Sequence, residues 1–322
     1  MSLKAPFPYF GTKKKVAQLM WSLLGDVDVY IEPFAGSLAV LLARPTTHQG
    51  TVEVVNDLDS ELSNVWRALA KDPEAVASYA FAPVLEVDLL AKQRWILKTS
   101  RKRQAKLVRD PEYYDAKAAG WWLWGKAAWI GRGWCVKVGK SKLPDMGSGS
   151  GVHRQVFYGD DGHPSLEKLT AYLNQLHHRL HRVKVCTGDW SRVLTDGVLA
   201  CGGGRVGIVL DPPYSTFTPN GMYGVGSVAV DDDVSIKVRE WCIAHGNDPR
   251  LRIVLCGYSD EHEAHMPADW IRHRYSAGAS YSKRGKKTGN TVNRHKERLW
   301  ISPGCLPAAT VSTRFTLLGD DV

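Results

Sequence analysis

The chain has 322 residues, 44% of them hydrophobic, and 42 Lys and Arg against 33 Asp and Glu give a net charge of +9. That length and apolar content suffice for a sizeable core and exclude disordered and fibrous architectures, while no apolar run approaches the roughly 20 residues of a membrane-spanning helix. The six cysteines form no Cys-x-x-Cys pair, which argues against a disulfide framework and a zinc ribbon. The first residues show neither an apolar core nor a cleavage site, so a cytoplasmic address is expected.

In chain order, Gly11-Thr-Lys-Lys-Lys15 opens a helical pattern through Val16, Leu19, Met20 and Leu23. Residues 27–31 read as a buried strand and 36–42 as a helix start; a second strand over 51–55 precedes a helix with Leu62, Val65, Trp66 and Leu69 on one face. Strands alternating with helices predict a mostly parallel sheet covered on both sides, an α/β fold. Between about 84 and 163 the pattern changes: the charge turns basic, five of the twelve tryptophans fall between 121 and 134, and the stretch ends in Gly147-Ser-Gly-Ser-Gly151. The segment reads as an insertion. The α/β pattern then resumes with a helix through Leu166, Leu169, Leu173, Leu176 and Leu180 and strands at 183–186, 206–210, 252–256 and 298–302, with a helix over about 233–245 stopped by Gly246. The tail beyond Cys305 carries no assignment. The expected organisation is therefore one α/β domain, residues 1–83 and 164–305, interrupted by a largely helical domain, 84–163, and followed by a tail, 306–322.

The charge is concentrated. Residues 92–142 hold fourteen Lys and Arg against three Asp and Glu, and residues 272–298 nine against one, which leaves a net −10 on the remainder. Two basic stretches on an otherwise acidic chain suit a polyanionic partner, because clustered cations gain by releasing the counterions condensed on phosphates; each cluster alone is equally readable as a solvated face.

Three segments carry chemistry. The strand at 27–31 runs into Glu32-Pro-Phe-Ala-Gly-Ser37, a glycine turn leading into a helix, and Asp57 lies 21 residues beyond Gly36 at the tip of the next strand. A carboxylate about 20 residues past such a turn can grip ribose hydroxyls, so the pair points to a nucleoside cofactor, although a glycine after a strand also serves an ordinary turn. The third segment is Asp211-Pro-Pro-Tyr214, directly after the strand at 206–210. Two prolines fix φ and donate no hydrogen bond, so the chain leaves the sheet rigidly with its carbonyls as acceptors. An aspartate and a prolyl carbonyl together suit an amino group, and a neighbouring tyrosine offers a face for a planar base. His177 and His181, and likewise His262 and His265, are read as polar helix faces rather than metal ligands.

These segments together with Tyr9-Phe-Gly-Thr-Lys-Lys-Lys15 resemble the Dam-type DNA adenine methyltransferases, in the same motif order over roughly residues 7–302. Asn56-Asp57 followed by Glu61, Leu62 and Asn64, then Gly188-Asp189-Trp190, and Arg298-Leu-Trp-Ile-Ser-Pro303 are similar to further motifs of that family. The resemblance implies a Rossmann-like methyltransferase fold using S-adenosyl-L-methionine without a metal, with double-stranded DNA as partner, in a bacterial or phage-infected cell. Tyr9, Phe10, Lys13, Glu32, Pro33, Phe34, Gly36, Ser37, Asp57, Asp189, Trp190 and Asp211 would line the cofactor site. Asp211, Pro212, Pro213 and Tyr214 would hold the exocyclic amine of a flipped adenine. The insertion would then read the target, with Lys126, Trp129 and Arg132 against bases or phosphates and Lys102, Arg103, Lys283, Arg284, Lys286 and Lys287 on phosphates. Thr12 and Leu38 depart from the family by standing where many relatives have glycine. The same acceptor geometry also serves cytosine's exocyclic amine or a glutamine amide in a protein, and a non-catalytic DNA-binding module on this fold and a nicotinamide dehydrogenase using the glycine turn and Asp57 are further alternatives.

Overall fold

A computed structural model describes residues 3–7, 13–50, 52–128, 134–135, 165–214, 233–275 and 297–307. The elements run α1 (Ala17–Leu24), β1 (Val29–Glu32), α2 (Ala39–Leu42), β2 (Val52–Asp57), α3 (Ser60–Lys71), α4 (Pro73–Ala80), α5 (Glu86–Arg109) and α6 (Ala116–Ala128). They continue with α7 (Leu166–Leu180), β3 (Val183–Thr187), a 3-10 turn (Trp190–Val193), α8 (Asp196–Leu199), β4 (Val206–Leu210), α9 (Val234–His245), β5 (Leu251–Tyr258), α10 (Ser259–His262), β6 (Ile271–Arg274) and β7 (Glu297–Ile301).

The seven strands form one sheet in the order β3-β2-β1-β4-β5-β7-β6. β1 to β5 are mutually parallel, with Val29 opposite both Val52 and Val206, and β7 runs antiparallel to both β5 and β6. Both faces are covered, so the central strands read as apolar runs rather than alternations. Their side chains still divide by parity: Tyr30, Val55, Val209 and Val254 enter the core beneath α1 and α3, whereas Val29, Val54, Ile208 and Ile253 enter a second core with Val238, Trp270 and Trp300. This is the Rossmann-like methyltransferase fold expected from the sequence.

Helix starts follow local chemistry. Asp59 caps α3 by accepting from the Glu61 amide at 2.9 Å, and Asp72 caps α4 by accepting from Ala75 at 3.0 Å, with Pro73 in the first turn. Two features differ from the expectation. β6 is an additional strand, a short exposed edge reading Ile-Arg-His-Arg whose charges disguise it in sequence and protect the edge in space. Nor does the packing break at 83/84: α6 lies on α3 and α4, and Trp122 and Trp124 share the core of Leu62 and Val65. Trp122 meets Phe7 edge-on at 4.9 Å, and Trp124 donates its indole N–H to the Ala82 carbonyl at 3.0 Å. Trp121, at the helix surface, is only half-buried. Most of the insertion beyond residue 128, including Trp129 and Arg132, lies outside the described residues, as does the tail from 308.

Candidate active site

Chain order reverses between β1 and β4, and in open α/β sheets the crevice at such a point lies beyond the carboxyl ends of the strands. All five parallel strands present polar or aromatic groups there: Glu32 closing β1, Asp57 closing β2, Gly188 and Asp189 after β3, Asp211 after β4 and Tyr258 closing β5.

The glycine turn is tied to the end of β2. The Ala35 amide donates to the Asn56 carbonyl at 2.9 Å, and the Gly36 amide donates to Asp57 Oδ2 at 2.9 Å; Asp57 Oδ1 accepts from the Asp59 amide at 2.9 Å. Gly36 sits at φ 46°, a left-handed position natural to glycine. Asn56 spans two motifs through its amide, which donates to the Pro33 carbonyl at 3.1 Å and the Gly188 carbonyl at 2.9 Å. Burial raises the Asp57 carboxyl above its ordinary range against the pull of those amides. Glu32 is pushed up to about 8, chiefly by burial, and accepts from Tyr30 Oη at 2.9 Å and the Leu41 amide at 3.2 Å. Phe34 and Trp190 stack with ring centroids 6.2 Å apart, and the exposed Asp189 caps the 3-10 turn through the Ser191 amide at 2.9 Å. Ser37 is buried.

At the end of β4 the two prolines carry the chain out of the sheet and leave Asp211 half-exposed between two partners. Lys13 Nζ lies 2.7 Å from Asp211 Oδ2, and Tyr214 Oη donates to Asp211 Oδ1 at 3.1 Å. Burial opposes charge on Lys13, but Asp211 prevails and raises its pKa. Tyr214 packs its ring 4.5 Å from that of Tyr258 and holds its proton well above the usual phenol range, because burial and the Asp211 charge both disfavour a phenolate. Lys13, 198 residues away in sequence, reaches the corner because the chain from Lys13 to Val16 closes a turn that leads into α1.

Sequence reasoning missed part of this wall. Glu297 opens β7 opposite Tyr258, and Cys256 lies in the Lys13 and Asp211 surroundings. Burial raises the Glu297 carboxyl, while Lys13 and Tyr275 pull it down. The signal available was the acidic start of the last strand motif, Glu297-Arg-Leu-Trp-Ile301.

Several expected site residues are placed elsewhere. Arg103 is buried and fully engaged: its Nε and Nη2 each lie 2.8 Å from Glu61, Nη1 lies 3.3 Å from Asp115, and Nη2 also donates to the Ile96 carbonyl at 3.0 Å. A guanidinium committed to two carboxylates has no fork left for a phosphate, so the phosphate assignment is corrected. Lys126 is half-buried with its ammonium 4.7 Å from the Trp122 ring centroid, and burial lowers its pKa against the pull of Asp59 and Asp57. Lys102 is exposed on α5, whereas Tyr9, Phe10, Lys283, Arg284, Lys286 and Lys287 lie outside the described residues. His262 is no polar face: it is fully buried, 4.9 Å from Trp300 and in the space left by the missing Cβ of Gly257. Among the described residues no group of three or more His, Cys, Asp or Glu could hold a metal, and no helix is long and apolar enough to cross a membrane.

The reversed α/β sheet with a glycine turn after β1 and Asp211 after β4 is consistent with the Rossmann-like methyltransferase fold. Residues 9–117 match the model of the D12 class N6 adenine-specific DNA methyltransferase. No curated protein matches the chain.

Proposed function

We propose that the protein moves a methyl group from S-adenosyl-L-methionine to the exocyclic amine of an adenine rotated out of double-stranded DNA. The observation that supports this most is the Asp211 carboxylate fixed between Lys13 and Tyr214 at the end of β4, one strand from the glycine turn. The residues present fit the cofactor: Asp57 and Asp189 offer carboxylate lone pairs to ribose hydroxyls and an amino group, and Phe34 and Trp190 offer an aromatic wall. Bound there, S-adenosyl-L-methionine would supply an electrophilic methyl carbon.

The chain's own part is to hold and polarise the amine. Each Asp211 oxygen already accepts one bond and keeps a lone pair for an amine N–H, and the Pro212 carbonyl offers another acceptor. Hydrogen bonds from both N–H groups draw the nitrogen lone pair out of the ring and stabilise the positive charge that grows on it. Lys13 and Tyr214 keep the carboxylate from turning away, so the amine meets a fixed acceptor. The exposed Lys102, with Trp129, Arg132, Lys283, Arg284, Lys286 and Lys287, supplies the duplex contacts of this reading.

The test is label transfer from methyl-tritiated S-adenosyl-L-methionine to an unmethylated duplex, followed by nucleoside digestion. Label is expected in N6-methyladenine, and Asp211→Ala should lower the rate about 10²–10³-fold with duplex affinity within a few-fold. Label in cytosine, or full turnover by the variant, would overturn the assignment.

A further inference from the structure

The tyrosine of the acceptor corner has a second tyrosine packed against it. β4 and β5 run parallel with Leu210 opposite Leu255, so β4 gives way to Asp211 one residue later, while β5 continues for three more and ends at Tyr258. The longer strand thereby brings its last side chain to the corner. Tyr258 is held there by pairing with Glu297 on β7, and every residue of β5 is buried. Its ring lies 4.5 Å from that of Tyr214 at an interplanar angle of 59°, within the range in which tilted aromatic pairs attract. The Lys13 ammonium lies 5.6 Å from the centre of the same Tyr214 ring. Tyr214 is left 5% exposed and Tyr258 4%. A platform for a flipped base must show a face to the crevice. This ring is instead packed within the protein, with its hydroxyl donated to Asp211 Oδ1 at 3.1 Å.

We propose that Tyr258 is a positioning residue for the acceptor corner: its ring seats Tyr214, and Tyr214 works through the hydroxyl it sets on Asp211 rather than as a stacking face for the base. The proposal rests on the reading of Asp211 as the group that holds the amine. A carboxylate held by Tyr214 and Lys13 meets an amine in one orientation only while both donors stay in place. Displacing a reacting group by about 1 Å can cost roughly 10²-fold in rate. A phenol keeps so exact a place only against a fixed neighbour, and Tyr258, anchored in a buried strand, is that neighbour.

The experiment measures steady-state methyl transfer from S-adenosyl-L-methionine to an unmethylated duplex on the full chain, with urea unfolding as the check on folding. Tyr214→Phe, which keeps the ring and loses the hydroxyl, should lower kcat about tenfold, the scale of one hydrogen bond, with KM for the duplex within twofold. Tyr258→Leu should lower kcat by a similar factor, and Tyr258→Phe should recover most of that loss. The double variant Tyr214→Phe, Tyr258→Leu should be down about tenfold rather than a hundredfold, because both changes break one chain of contacts. If Tyr258→Leu does not fold, Tyr258→Met fills the space without a ring and should behave as the leucine variant is expected to. Full activity in Tyr214→Phe, a loss confined to KM, no recovery in Tyr258→Phe, or multiplying losses in the double variant would overturn the proposal. Wild-type protein that transfers no methyl group to adenine would overturn the reading of Asp211 itself, a failure seen before any variant is made.

Discussion

Leu38 holds φ 61° and ψ 24°, the left-handed region, at the position where many relatives of the family end the turn with glycine, and it does so fully buried. A left-handed leucine costs about 1–2 kcal/mol, whereas burying its side chain contributes about 1.5–3 kcal/mol and deleting it leaves a cavity. Burial wins. Leu38→Gly is therefore expected to lower stability by about 1–3 kcal/mol in urea unfolding, despite relieving the backbone; a stabilised variant would show that strain dominates. Glu32 gives a pH-dependent prediction with a defined sign. Its folded pKa of about 8 lies above that of an exposed glutamate, so the folded chain binds the extra proton. Stability from this group is complete below about pH 4.5 and is lost as the pH rises through 8. Glu32→Gln keeps acceptors for Tyr30 and the Leu41 amide but cannot ionise. Its unfolding free energy relative to wild type should rise between pH 5 and pH 8.5, and a pH-independent difference would show that Glu32 has the same pKa folded and unfolded.

At the scale of elements, α5 is held to α3 by charge as much as by packing. Arg103 on α5 joins Glu61 on α3 and Asp115 before α6, so removing it strands a buried carboxylate. Arg103→Met should cost about 3–5 kcal/mol by urea unfolding without lowering the salt slope of duplex binding, since no phosphate contact is lost. An unchanged stability with a reduced slope would restore the phosphate role. The same helix shows what a sequence conceals. Its Lys and Arg at 102 and 103 are adjacent and look alike, but a helix turns 100° per residue, so Lys102 meets solvent and Arg103 the core. The parallel strands were legible because their apolar runs end in Glu32, Asp57, Gly188 and Asp211. β6 was not legible because its four residues, one apolar and three basic, carry no apolar periodicity. The Lys13 to Asp211 pair could be placed in one neighbourhood by motif order, but Glu297 could not, since only the pairing of β7 with β5 brings it opposite Tyr258.

For the molecule as a whole, the +9 net charge is less informative than its distribution over two stretches and an acidic remainder. If the stretch around residues 283–287 tracks a duplex, changing Lys283, Lys286 and Lys287 to Ala should flatten the dependence of log affinity on log salt by about one for each phosphate contact removed. Titration of duplex binding at several salt concentrations checks this, and an unchanged slope would place the contacts elsewhere. The sheet has a further consequence. The last of its seven strands in chain order, β7, is not at an edge but lies between β5 and β6. Among the described strands, β6 has no neighbour and the far side of β5 is an open template until residues 297–301 arrive. The Tyr258 side of the acceptor corner is also missing its opposite residue, Glu297. During synthesis on a ribosome β1 to β4 emerge before residues 297–301, so the corner at Asp211 stays without its Glu297 side until β7 has paired with β5.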